Sequence, residues 1–218
     1  MAAPSERTRV RRQPSRGHYE RSDAHAILDE AWFCHLGFVH DGGPVVVPTL
    51  HARVGEEVYV HGSAASRTLR SIVGRDACLT VTLLDALVLA RSAFHHSANY
   101  RSLVVFGQPR DVGDAEKERA LEAFSERLLP GRWAAVRGPT HTELKATTIL
   151  ALPLEEFSVK AREGPPSDDE PDYELDVWAG LVPVEQRVGR PVPDPALRAG
   201  IELPSHLRRL FASRRLRQ

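Results

Sequence analysis

Short apolar blocks, broken by Gly, Pro and Asp, run along the chain as far as residue 163. "WFCHLGFV" reads as a strand, "HDGGP" as a hairpin turn and "VVVPTLHAR" as the returning strand. "VGEE" turns the chain again into "VYVHG", which completes a β-meander. The period then changes. In "SRTLRSIVG", Leu69, Ile72 and Val73 fall at helical spacing and Gly74 supplies a stop. "ACLTVTLLDALVLA" is apolar throughout and rich in β-branched residues, which predicts a long strand buried on both sides and bent near Asp85. "YRSLVVFGQPRDV" is a further strand. "AEKERALEAFSERL" is a helix capped by Asp114, with Leu121, Phe124 and Leu128 on one face. "TELKATTILALPLEEFSVKARE" begins as a short helical turn and continues as one strand. Ser22 or Asp23 caps an earlier helix reaching about Ala31. Small helices among five or six closely spaced strands predict a mainly β fold, a six-stranded antiparallel barrel.

The length of 218 residues suits one domain with appendages, and 42% hydrophobic residues suffice for one core. The expected divisions are a basic arm (1–21), the barrel domain (22–162), an acidic loop (163–176) and a C-terminal segment (177–218). The arm carries six arginines, and the last eleven residues carry five with no acid. The loop holds seven acids, three prolines and no base, and reads as a solvated connection. Overall the 29 basic and 29 acidic residues cancel, so no global field favours nucleic acid or a membrane surface. Cys34 and Cys78 cannot build a disulfide framework and sit in apolar runs as small buried groups. No secretory or membrane-spanning run is present, so a cytoplasmic location is expected.

Three stretches carry candidate chemistry. In "VHGSAASRTLRSI", Gly62 to Ser66 falls between a strand and the start of a helix, where free N–H groups favour an anion. Ser63 and Ser66 add hydroxyls and Arg67 a guanidinium fork. Alternatively, Ser66 is a plain helix cap and Arg67 is solvated. The loop fits neither GxxxxGK[ST] nor GxGxxG. "RSAFHHSANYRS", from Arg91 to Ser102, is dense in polar groups between two apolar strands. It is either a self-satisfied loop or one wall of a ligand site. Adjacent His95 and His96 do not chelate one metal well from a strand or a helix. In the third stretch, Pro48 interrupts a strand, which places it at an edge or an irregularity and leaves backbone groups free for a planar heterocycle.

These stretches, with "RGHYER", "ILDEAWFCHLGFVHDGG" and "VWAGLVPV", resemble the flavin-nucleotide-binding proteins related to pyridoxamine 5'-phosphate oxidase, in the branch similar to nitroimidazole-resistance proteins. The similarity runs from about Arg16 to about Val184. It implies a split β-barrel homodimer with FMN at the subunit interface. Val47, Pro48 and Thr49 would line the isoalloxazine edge, and Ser63, Ser66 and Arg67 would hold the phosphate. Arg91, Ser92, His96, Asn99 and Arg101 would reach the flavin, and Trp178 would cover its ring. The Arg-x-His substrate signature and closing Arg-Leu-x-Pro of the true oxidases are absent, which argues against pyridoxal phosphate synthesis.

The expected activity is transfer of electrons from NAD(P)H through flavin to a small acceptor, a nitro compound or a quinone. Arg91 and Arg101 are candidates for stabilising the reduced ring, and His61 for moving protons. No metal site is expected. Three alternatives stay open: a haem-binding or haem-degrading barrel, a deazaflavin in place of FMN, and a flavin carrier without turnover.

Overall fold

The computed structural model describes residues 4–208, apart from the side chains of Arg67 and Thr68. Ten strands form one antiparallel sheet: β1 (Gly17–His18), β2 (Phe33–His40), β3 (Gly43–Val54), β4 (Glu57–Ser63), β5 (Ala77–Leu89), β6 (Ser97–Gly107), β7 (Arg110–Asp111), β8 (Thr147–Pro153), β9 (Glu156–Arg162) and β10 (Gly180–Pro183). Their order is β1-β9-β6-β5-β2-β3-β4-β8-β7, with β10 added beside β5. Helices α1 (Arg21–Glu30), α2 (Arg67–Ser71), α3 (Asp114–Leu128) and α4 (His141–Lys145) accompany them. The mainly β antiparallel class is as the sequence predicts.

The meander follows its turn chemistry. Asp41 (φ 48°) and Gly42 (φ 77°) both take left-handed backbone in the β2–β3 hairpin. The bend near Asp85 is a register shift between Leu84 and Ala86 in the β5–β6 ladder. Pro48 lies in the half of β3 that pairs only with β2, because β4 pairs with His51–Val54. Its missing N–H therefore interrupts no ladder.

One core lies inside the sheet, which curls until β6 meets β8: a Cβ at Gly107 would stand 3.1 Å from Leu152. Leu36, Leu79, Leu103, Val58, Leu150 and Val159 fill it, and Ile27 and Leu28 of α1 plug one side. Residues on β4 and β8 alternate between two cores. Val58 and Val60 face inward, whereas Tyr59, Ile149 and Ala151 face outward beneath Ala120 and Phe124 of α3. Both strands are therefore buried on both faces.

Several expectations need correction. The count of six strands is too low, because the run predicted as one strand breaks at Leu154 and Glu155 into β8, which pairs with β4 and β7, and β9, which pairs with β6 and β1. The apolar run across the turn hides its period. Short β1, β7 and β10 leave no periodic signal. The N-terminal segment is not free. Thr8 is buried, Arg7 pairs with Glu156 and lies over the Phe106 ring, and β1 pairs with β9. Helix α1 begins at Arg21 with Glu20 at its N-cap, before Ser22 and Asp23, and Gly113 caps α3 where Asp114 was expected. No described helix is long and apolar enough to cross a membrane. The basic residues beyond Arg208 lie outside the described residues.

Candidate functional site

The first group of candidate residues gathers where β3, β4 and α2 meet. Val47 packs against the core, while Pro48 is exposed on the outer face of β3 opposite His35 of β2. The Thr49 hydroxyl donates to the Leu50 carbonyl. Beyond Ser63, the Ala64 amide donates to Ala146 at 2.9 Å, which fastens the corner to the start of β8. The Ser63 hydroxyl accepts the Ala65 amide at 3.1 Å, and the Ser66 hydroxyl caps α2 by accepting the Leu69 amide at 3.3 Å. Ser66 is thus a cap in fact, and among the described residues neither hydroxyl is seen to donate, so both suit an anion. Arg67 opens α2, but its side chain lies outside the described residues. Gly62 serves packing: a Cβ there would stand 2.4 Å from a Leu69 methyl.

The second group is held by the acidic loop. Asp168 accepts the amides of Arg91 (2.9 Å) and Ser92 (3.3 Å) and the Arg91 guanidinium (3.2 Å). Its side chain is fully buried. Desolvation pushes this carboxyl upward, but the bonds from Ser92 and Arg91 outweigh it and hold it below the ordinary value. Arg91 also lies over the Tyr173 ring. The Ser92 hydroxyl accepts the Phe94 amide, and Nδ1 of His96 accepts the Ala90 amide. Asn99 donates to Gly164 and accepts from Arg162. Trp178 is exposed, with its ring against Gly180. The loop expected to be solvated is therefore docked, because its carboxylate meets two amides and a guanidinium that the 91–96 turn leaves open. Within one chain, Arg91, Ser92, His96 and Asn99 are committed to structure. His95, Asp169 and Asp172 bring three metal-type ligand atoms within 4.8 Å of one another, with both carboxylates exposed or only half-buried.

Arg101 stands apart from both groups. It forks to Glu30 (2.5 and 2.8 Å) and to Asp85 (2.7 and 3.1 Å). The Glu30 bonds, then those of Asp85, raise its pKa, fixing a guanidinium already neutralised by two carboxylates. It is poorly suited to stabilise a reduced flavin.

His61 projects from the outer face of β4 and meets Phe124 edge to face at 4.6 Å. It lines a cavity of about 460 Å³ beneath α3, with Leu50, Leu121, Phe124, Trp133 and Val136 among its walls. Burial lowers the pKa of this imidazole, which favours its neutral form. The cavity is absent from the sequence reading because residues 129–140, which close it, have no apolar period. Leu121 and Leu128 on one helical face were the only sign of it.

A family model described as pyridoxamine 5'-phosphate oxidase matches residues 20–161. No curated protein matches the sequence. Among solved structures, a flavocytochrome from Azotobacter vinelandii is 39% identical with a TM-score of 0.90, covering 95% of this chain and 97% of its own. An FAD- and haem-binding protein from Mycobacterium smegmatis is 38% identical with a TM-score of 0.85, covering 88% and 96%. A 5-nitroimidazole antibiotic resistance protein from Bacteroides thetaiotaomicron shares the fold at 17% identity and a TM-score of 0.56, covering 66% and 85%.

Proposed function

Because the chain belongs to the pyridoxamine 5'-phosphate oxidase family, we propose that it is a flavin-binding oxidoreductase that also holds haem. Its electrons would come from a reduced nicotinamide and leave to a small acceptor, a nitro compound or a quinone. One observation carries the reading. The two chains at 38–39% identity span nearly the whole molecule, one a flavocytochrome and the other an FAD- and haem-binding protein. The second of them binds FAD, which favours FAD over the FMN that the resemblance implies.

Bound flavin supplies hydride and single-electron chemistry, and the protein supplies placement and electrostatics. The outer face of β3 at Pro48 and the hydroxyls of Ser63 and Ser66 suit a flat ring and an anionic tail. Along Gly43–Leu50, β3 has no second strand partner among the described residues, so its edge amides and carbonyls can meet a heterocycle. Arg91, Ser92 and Asn99 hold the acidic loop in one chain while His96 braces the turn through the Ala90 amide, and the homodimer we propose would bring their outer surface to a partner's flavin.

Purified protein should show the flavin visible band together with a Soret band, and mass analysis of the released cofactors should identify both. NADH or NADPH should bleach the flavin anaerobically. Protein without flavin absorbance would overturn the reading. Bound flavin that neither nicotinamide reduces would leave a carrier, and the oxidoreductase proposal would fall.

A further inference from the structure

We propose that His61 is the axial ligand of a haem seated in the cavity beneath α3. This rests on the haem part of the function proposed above and gives that haem a location and a protein ligand.

Alternation along β4 fixes the direction of the ring. Val58 and Val60 enter the inner core and Tyr59 the outer one, so His61 faces outward, under α3. There Nδ1 is buried without a hydrogen-bond partner among the described residues. Buried polar atoms are ordinarily paired. This chain pairs other imidazoles: Nε2 of His51 bonds the Leu28 carbonyl, and Nδ1 of His96 takes the Ala90 amide. His25, His51 and His206 also carry a buried unpaired nitrogen, but none of the three lines this cavity.

The walls around His61 describe its occupant. Leu50, Leu121, Phe124, Trp133 and Val136 are apolar, and the volume of about 460 Å³ is that of a cofactor site. Charge appears only in Arg137 and Glu143, which pair with each other at 2.6 and 2.7 Å and are solvent-exposed. A large flat apolar ligand with an anionic edge, and a metal centre needing one neutral imidazole, satisfies all three features. Its carboxylates could exchange with Glu143 on the Arg137 fork. Neutral imidazole is the form that binds metal, and the burial of His61 favours that form. The place also suits electron transfer. Leu50 follows Thr49 on β3 and Ser63 lies two residues beyond His61 on β4, so the cavity adjoins the corner proposed for flavin.

The test is haemin titration of the full-length protein freed of haem, read by the Soret band and by electron paramagnetic resonance. Wild type should show a histidine-ligated spectrum. His61→Gly should lose at least tenfold in affinity or shift the spectrum, and added imidazole should restore it. His206→Ala should behave as wild type. Leu121→Trp, which fills the cavity while keeping His61, should also block haemin and spare flavin binding, and that retained flavin shows the variant is folded. Haemin bound by His61→Gly with unchanged affinity and spectrum would overturn His61 as ligand while the haem reading stands. Wild type that binds no haemin would overturn both. Loss of flavin with retention of haemin in Leu121→Trp would assign the cavity to the flavin and refute the proposal.

Discussion

The Asp168 carboxylate reaches Arg91 twice, accepting its backbone amide at 2.9 Å and its guanidinium at 3.2 Å. Through this contact a seven-acid segment is ordered against the 91–96 turn. Asp168→Ala should release it: amide exchange across residues 163–176 should accelerate while β5 and β6 stay protected. Acid should do the same. The carboxyl is depressed below its ordinary value, so its contribution is complete above about pH 4 and is lost as pH falls through the folded value. Tyrosine and tryptophan fluorescence from Tyr173 and Trp178 should follow that loss in wild type and be flat in Asp168→Ala. Unchanged exchange in the variant would show that the other loop contacts suffice.

Gly62 and Leu69 form a close-packed pair joining α2 to β4. A methyl group at 62 would push the Leu69 methyl aside, and overpacking of this kind costs about 1–3 kcal/mol. Gly62→Ala should lower the unfolding free energy by that amount in the otherwise unaltered chain. In a Leu69→Ala background the penalty should vanish, which a double-mutant cycle by urea denaturation would measure. A penalty that survives would mean that backbone freedom, not packing, requires glycine there.

How much of this was readable beforehand depended on range. Local signals held. Asp41 and Gly42 made the hairpin and Asp85 marked the bulge, whereas α2 ends at Ser71, before the expected stop at Gly74, which takes a positive φ of 68° in the following turn. Ser66 was correctly suspected as a cap. Nonlocal pairings left no trace. Nothing near Asp168 in sequence announces Arg91, and nothing near Arg101 announces Glu30, so arginines that looked available for flavin proved to be neutralised. Apolar content alone could not divide β8 from β9, because β8, buried on both faces, loses the alternation that marks where a strand ends.

Glu116 ties α3 to the barrel. It accepts Arg110 at 2.6 and 2.9 Å and the Tyr59 hydroxyl at 2.8 Å. The Arg110 bonds, aided by Tyr59, hold its carboxyl at about 2 against an ordinary 4.5. Its folded-state pKa is lowered, so the stability it contributes is complete above about pH 4.5 and disappears as pH falls toward 2. Glu116→Gln should therefore be less stable than wild type at neutral pH, with the gap closing on acidification. Denaturation midpoints measured across that range would check this. A constant gap would mean that Glu116 acts through packing alone.

The outer face of β2 and β3 presents Phe33, Val39 and Val46, each more than half exposed (58%, 60% and 64%). The register places them together. Val39 stands opposite Pro44 and Gly37 opposite Val46, and period two carries Phe33 and Val39 to the same side. A contiguous apolar patch on a soluble domain marks an interaction surface. A second copy is the occupant expected if each flavin lies between subunits. Val46→Glu places a charge in that patch without disturbing the inner core, so the fold should persist by circular dichroism while sedimentation shows dimer giving way to monomer. Flavin affinity should fall in parallel, because half of each site would leave with the partner. Wild-type protein sedimenting as a monomer would refute the interface. A monomeric variant with full flavin affinity would show that one chain supplies the whole binding site.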